Sequence, residues 1–302
     1  MATPAPITAR PSVPGLGLLA LCSALFKLRI GFSIVLSAIA GLLLGLGAWP
    51  ATIDTAILSF GVLTAAGGAG ACNHYFESDI DALMRRTRGR PFVTGQIGHH
   101  KGWLLLFCAM MLGGSALVGV YFNPASGALV LAGALTYSVV YTLWLKRRTH
   151  WSIVVGGAAG SFAVLAGAAG AGRWDSAAVW WLAAVLFLWT PSHFWALAIA
   201  IVEDYRRAGI PMLPVTHGRR VAAHWTLVNS VLLVASSCAL AWTLDHPLVW
   251  TASVLGGAWL LFTGQRMLRQ PDSAALAMSA FRASLLQLGL LLLALFLAFG
   301  GT

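Results

Sequence analysis

The stretch Asn73-His74-Tyr75-Phe76-Glu77-Ser78-Asp79-Ile80-Asp81 holds three of only nine carboxylates in a 302-residue chain that is 59% hydrophobic. It follows an apolar run over residues 56–72, so the spacing predicts that a helix continues through it. On that helix Asn73, Glu77 and Asp81 recur every four residues and share one face, whereas Asp79 points away. Carboxylates at this spacing repel by about 0.2–0.5 kcal/mol on an exposed helix, and by more where water is scarce. Something positive must sit between them. Hard oxygens with an amide oxygen suit Mg²⁺, which takes one or two carboxylates and completes its shell with phosphate oxygens and water. Immediately downstream, Met84-Arg85-Arg86-Thr87-Arg88-Gly89-Arg90-Pro91 supplies four arginines, whose forks bind phosphate oxygens in pairs. Acid face then basic loop reads as a Mg²⁺-diphosphate site. The competing explanation is a solvated helix end whose arginines mark one side of a membrane. A simple end, however, has no need of Asn-x₃-Glu-x₃-Asp on one face.

A second stretch, Trp189-Thr190-Pro191-Ser192-His193-Phe194-Trp195, leads into Glu203-Asp204-Tyr205-Arg206-Arg207. A histidine inside an apolar span is costly unless it faces a cavity or a partner, which makes His193 a site candidate. The ordinary alternative is a bond to a backbone carbonyl released by Pro191. A flat apolar setting beside Phe194 and Trp195 would suit a planar ligand, with His74 nearer the surface. Glu203 and Asp204 end this span on the same side as the first stretch, so carboxylates from two helices could face one diphosphate.

The elements that position these groups are membrane spans. With 9% charged residues and hydrophobic runs throughout, the chain is an all-α, polytopic membrane protein. Nine runs of about 20 apolar residues are centred near residues 40, 63, 112, 136, 160, 189, 233, 256 and 289. The net charge of +10 does not mark a nucleic-acid binder, because the positives fall in short loops between these runs. Lys27 and Arg29, residues 85–101, Lys146 to Arg148, residues 206–220, and Arg266 and Arg269 share one side, with Arg282 near it. The opposite loops hold only Arg173. This asymmetry puts the N-terminus in the cytoplasm and the C-terminus outside. Residues 1–26 read as a Pro- and Ala-rich disordered tail and a short interfacial helix, and residues 27–302 as a single transmembrane domain. Lys27 and Arg29 follow the apolar stretch instead of preceding it, which argues against a cleaved signal peptide. Cys22, Cys72, Cys108 and Cys238 stand singly in apolar surroundings and read as packing residues.

Small residues crowd the second span (Ala65 to Ala71) and the fifth (Gly156 to Gly160, Gly167 to Gly172). They serve either close helix packing or the clearing of room for a lipid chain. Tyr137, Tyr141 and Lys146 end the fourth span as ordinary interfacial anchors would. In the last three spans Asn229, His224 and Gln287 read as helix–helix hydrogen bonders, and Asp245 and His246 as solvated loop residues.

The order Asn-x₃-Glu-x-Asp-x-Asp and then Met84-x-Arg86-Thr87-x-x-Arg90-Pro91 resembles the first signature of the UbiA-type intramembrane prenyltransferases, and its tail is similar to the haem O synthase branch. Tyr141-Thr142-x-x-Leu145-Lys146-Arg147, Pro191-Ser192-His193-Phe194 and Asp204-Tyr205-x-x-Ala208-x-Ile210-Pro211-Met212-Leu213-Pro214 also resemble that branch. Glu77 stands where the family has Asp, Leu28 and Ser192 stand where it has Pro, and Ala208 stands where wider relatives place a second Asp. The resemblance implies a UbiA-like bundle of nine helices in the inner membrane that transfers farnesyl from farnesyl diphosphate to a vinyl group of haem B, giving haem O. It implies Mg²⁺ as cofactor, with Asn73, Glu77, Asp81 and Asp204 as metal ligands, and Asn73, Asp81, Arg86 and Asp204 in catalysis. Lys27, Arg29, Arg85, Arg86, Arg90 and Lys146 would bind the diphosphate, and His193, His74 and Tyr205 the haem. A haem A synthase or terminal oxidase assembly is the partner it suggests. A sister enzyme acting on an aromatic quinone precursor would keep the acid and arginine site but change the acceptor. A transporter would instead place charges near the bilayer midplane, whereas here nearly all lie at span ends.

The one-sided loops set a first expected outcome. A reporter fused after Thr302 lies outside and one inserted near residue 95 lies inside; finding both on one side overturns the nine-span topology.

Overall fold

The computed structural model describes residues 17–300. A short helix α1 (Leu18–Leu25) precedes α2 (Leu28–Leu46) and α3 (Thr52–Phe76). The small helices α4 (Ser78–Leu83) and α5 (Pro91–Thr94) follow, then α6 (Gly102–Tyr121) and α7 (Pro124–Leu135). The last runs without a break into a π-helix at Thr136–Leu145. After it come α8 (Ser152–Gly170), α9 (Ala177–Ala200), α10 (Val202–Arg207) and α11 (Leu213–Thr216). The chain ends with α12 (Gly218–Leu244), α13 (Pro247–Arg269) and α14 (Ala274–Phe299). Among the described residues there is no strand, and nine segments are long and apolar enough to cross a membrane. They are α2, α3, α6, Pro124–Leu145, α8, α9, α12, α13 and α14. The stretch before the first span is the helix α1, whereas the tail expected over residues 1–15 lies outside the described residues.

The spans form a closed bundle: α2 lies on α3 and α8, α3 on α6, α8 on α9, α9 on α12 and α14, and α14 reaches back to α2. All the basic loops collect at one end. Arg147 bonds Asp79, Arg85 bonds Asp204, His150 meets His217 and Arg219 meets Asp272 there. Span starts carry the expected signals, with Asn123 capping α7, Ser273 capping α14, and Pro124 and Pro247 in first turns.

Glycines decide how closely the helices approach. A Cβ on Gly167 would strike the Ala38 carbonyl of α2, and one on Gly41 the Val164 carbonyl of α8. Gly61 and Gly114 stand in the same relation between α3 and α6. Without a hydrophobic driving force between helices in lipid, such backbone contact is a main source of association. Polar side chains add to it: Asn229 donates to the Leu188 carbonyl and to Ser192, and Gln287 donates to Ser237. Two expectations need correction. His224 is exposed beside Trp225 and makes no interhelical bond, and Cys108 is exposed on α6 instead of packed.

The α2–α8 contact makes a prediction. Gly167→Ala forces backbones apart and lowers thermal stability in detergent by about 1–3 kcal/mol, the usual cost of overpacking. Gly113→Ala meets nothing within 4 Å and leaves stability unchanged or slightly higher. Equal behaviour of the two variants would contradict the contact.

Candidate active site

Helix α3 ends at Phe76, and Glu77 departs from helical geometry at φ −103°, ψ 8° before α4 begins. The expected continuous helix is thus interrupted at one residue. Its four-residue hydrogen bonds nevertheless survive, from Glu77 N to Asn73 O at 3.0 Å and from Asp81 N to Glu77 O at 2.8 Å. The face therefore stays aligned. Asn73, Glu77 and Asp81 are all buried, while the Asp79 side chain is 64% exposed.

Each buried oxygen donor has a cation of its own. Lys27 Nζ donates to Asn73 Oδ1 at 2.5 Å, Lys146 Nζ to both Glu77 oxygens at 2.5 and 2.6 Å, and Arg90 to Asp81 Oδ2 at 2.5 Å. These partners come from the start of α2, the end of the π-helix and the loop before α5. Lys27 holds its place by a left-handed backbone, φ 51°, at the joint between α1 and α2, where a following proline would disfavour helical angles. Leu28 removes that restriction. Burial, then the Arg90 charge, pushes the Lys27 ammonium well below the usual lysine range. Burial likewise raises the Asp81 carboxyl against the pull of Arg90. Outside the site, the hydrogen bond from Arg147 holds Asp79 low.

The π-helix was not legible in the sequence, and it sets the opposite wall. Its wider turn is closed by Lys146 N bonding Tyr141 O at 2.9 Å and brings residues four to five apart into line. Tyr137 stacks on Tyr141 at 5.7 Å, Lys27 donates to Tyr137 Oη at 2.9 Å, and Asn73 Nδ2 donates to Thr142 Oγ1 at 3.0 Å. Lys27 Nζ also lies 5.4 Å from the Tyr137 ring centre and Lys146 Nζ 5.6 Å from that of Tyr141. Tyr137, Tyr141 and Thr142 therefore belong to the site wall and are not simple membrane anchors.

Asp204 joins the two stretches differently from expectation. Its Oδ2 accepts from the backbone N–H of Arg85 at 3.0 Å, and its Oδ1 accepts from Arg207. The carboxylate thus clasps the arginine loop, whose Arg85 and Arg86 side chains are exposed. Arg29 is also exposed, on the first turn of α2 and in no ion pair. Tyr205 is buried in an apolar cluster with Ile80, Met84, Tyr141 and Trp195. His193 lies in a separate seam, stacked on Trp189 at 4.3 Å and against Phe281 at 4.2 Å, with Nδ1 at 2.8 Å from Ser284 Oγ. It does not bond a carbonyl released by Pro191. His74 is buried on α3, whereas His193 stands on α9.

An apolar cleft of about 690 Å³, counting its open mouth, runs down from Lys27 and Tyr137 between α2, α3, α7 and α8. On α3 it is lined by Val62, Ala66, Ala69 and Gly70, the positions that continue the Asn73 and Glu77 face at helical spacing. Small residues of α8 (Ala159, Gly160, Ala163) form the other wall. A charged head and an apolar tail are thus presented in series. The donor set of amide and carboxylate oxygens fits a hard divalent ion. Among the described residues no three His, Cys, Asp or Glu side chains converge on one point. Such an ion would share one or two of these carboxylates and Asn73 with oxygens of an anionic ligand.

The UbiA prenyltransferase family matches residues 34–286 of the chain. Protohaem IX farnesyltransferase 2 of Paramagnetospirillum magneticum is 48% identical over 272 residues, 90% of this chain and 94% of its own. Protohaem IX farnesyltransferase of Symbiobacterium thermophilum is 42% identical over 78% of this chain and 79% of its own. Among solved structures, a digeranylgeranylglyceryl phosphate synthase superimposes with a TM-score of 0.76 at 17% identity, over 94% of this chain and 99% of its own. A UbiA homologue from Archaeoglobus fulgidus bound to GPP and Mg²⁺ gives 0.71 at 16% identity, over 93% of this chain and 99% of its own.

The pairing of Glu77 with Lys146 is testable by stability alone. Lys146→Met strands a buried carboxylate and costs on the order of 3 kcal/mol. Adding Glu77→Gln to that variant recovers most of the loss. The exposed Asp79→Asn costs no more than about 1 kcal/mol. Thermal unfolding in detergent distinguishes the cases, and strictly additive losses for Glu77 and Lys146 would show that the two charges do not pair.

Proposed function

The chain belongs to the UbiA prenyltransferase family, and from that membership and the site we infer that it transfers the farnesyl group of farnesyl diphosphate to a vinyl group of protohaem IX, forming haem O. The acceptor rests on similarity, across most of the chain, to relatives that carry this activity in their names. The observation that carries the donor half is the continuity on α3 between the apolar cleft and the acid face. Nothing in the site favours a quinone-precursor acceptor.

In the reaction the allylic C1–O bond breaks and its electron pair leaves with the diphosphate. The vinyl π electrons form the new C–C bond to the allylic carbon. Water then captures the cation left beside the macrocycle and releases a proton. The cleft holds the prenyl chain extended, with C1 near Lys27 and Tyr137. Lys27, Arg90 and Lys146 turn from their present partners toward the diphosphate, where charge develops, and Arg86 approaches from the loop that Asp204 holds in place. Asn73, Glu77 and Asp81 would hold Mg²⁺, which would supply Lewis-acid neutralisation of the leaving group. The Tyr137 and Tyr141 rings present π faces along the path of the allylic cation. His193 keeps Nδ1 on Ser284, which leaves Nε2 for the haem, the arrangement that orients a ligating imidazole, and Tyr205 would meet the haem from the neighbouring cluster that holds Trp195. The enzyme sits in the inner membrane with its diphosphate end toward the cytoplasm, as the basic loops support. A haem A synthase or terminal oxidase assembly would receive the product.

Purified protein given haem B, Mg²⁺ and prenyl diphosphates of several lengths yields a product with the mass of hydroxyethylfarnesyl haem. Asp81→Asn lowers kcat by about a hundredfold or more, by analogy with loss of one transition-state donor. Arg86→Lys keeps the charge but loses the fork, so its activity falls further than charge counting implies. Wild-type turnover in Asp81→Asn would remove the acid face from the chemistry.

A further inference from the structure

Asn73, Glu77 and Asp81 are each engaged by a cation, but the histidine between them is not. His74 is only 4% exposed, and its Nδ1 has no hydrogen-bond partner. A buried polar atom without a partner is uncommon in native proteins and points to a group not yet in place. His74 lies one turn past Gly70, where a Cβ would touch the Lys27 side chain at 3.3 Å. It lies one turn before Glu77, and positions three apart are helix neighbours. Lys27, Arg90, Lys146 and Arg86 supply positive charge around it. Three of those cations already donate to Asn73, Asp81 and Glu77. An anionic oxygen could accept from the ring and from those cations together.

We propose that His74 donates a hydrogen bond from Nδ1 to the bound diphosphate and so helps to seat the leaving group. The inference rests on the farnesyl diphosphate reading and adds a neutral donor to its charged ones. The imidazole acts as a hydrogen-bond donor. Its contribution is to fix an oxygen that the flexible lysines and arginines attract but do not orient, which makes it a binding group for substrate and product alike.

The test uses inorganic pyrophosphate with Mg²⁺ as the probe, titrated into the purified full chain by calorimetry without haem. His74→Phe retains size and removes both nitrogens; its pyrophosphate affinity falls about ten- to hundredfold, the range for a hydrogen bond to a charged group. His74→Asn places an amide N–H close to the Nδ1 position and stays within a few-fold of wild type, whereas His74→Gln, which reaches toward Nε2, does not. Haem titration is the same in all variants. Wild-type pyrophosphate affinity in His74→Phe overturns the proposal, as does equal weakening by Asn and Gln, or a loss of haem affinity with pyrophosphate binding intact. Should His74→Phe not fold, the Asn and Gln pair makes the same comparison. A wild-type chain that binds pyrophosphate but forms no farnesylated haem would sink the acceptor assignment and leave this one standing.

Discussion

A carboxylate buried in a water-poor bundle stays ionised only with positive charge against it, and the architecture around Asn73, Glu77 and Asp81 follows from that constraint. The three groups come from one helix face, but their partners are recruited from three separate places, two of them distant in sequence. Lys27 lies 46 residues upstream of Asn73, Lys146 lies 69 beyond Glu77, and Arg90 lies nine beyond Asp81. The left-handed joint at Lys27 and the π-helix ending at Lys146 are the backbone devices that deliver two of them. Because each pair stands on its own, both carboxylates are neutralised before any ligand arrives. A diphosphate and its ion then exchange partners with charges already in place, which keeps reorganisation during reaction small.

The same face of α3 solves a second problem by changing residue type. From Val62 to Gly70 it is apolar and small, and from Asn73 it is polar. One straight element therefore measures out both ends of an amphiphile. The clasp from Asp204 to the Arg85 backbone closes the polar end, and the glycine contacts between α2 and α8 keep the far walls together.

The spans were legible because crossing lipid demands about 20 apolar residues, and the acid face was legible because helical spacing alone puts Asn73, Glu77 and Asp81 together and sends Asp79 out. What stayed hidden depends on tertiary contact. Nothing local in Thr136–Leu145 distinguishes a π-helix from an α-helix, so Tyr137 and Tyr141 read as membrane anchors. Asp204 reads as a second ligand from its type alone, whereas its bond to a backbone N–H 119 residues away depends on the folded chain. The small residues of α3 and α8 could not be sorted between packing and cavity, because that depends on which helix lies opposite.

On α3 both uses turn out to be present, on adjoining faces. Gly61 and Gly68 face α6, and Ala66 and Ala69 face the cleft. Enlarging a residue is therefore two different kinds of lesion within a single turn of helix. On the α6 side it strikes backbone and reduces the amount of folded protein. On the cleft side it leaves the fold intact and changes which lipid chains fit. Sequence drift along α3 would thus be read by the cell as abundance at one position and as substrate range at its neighbour.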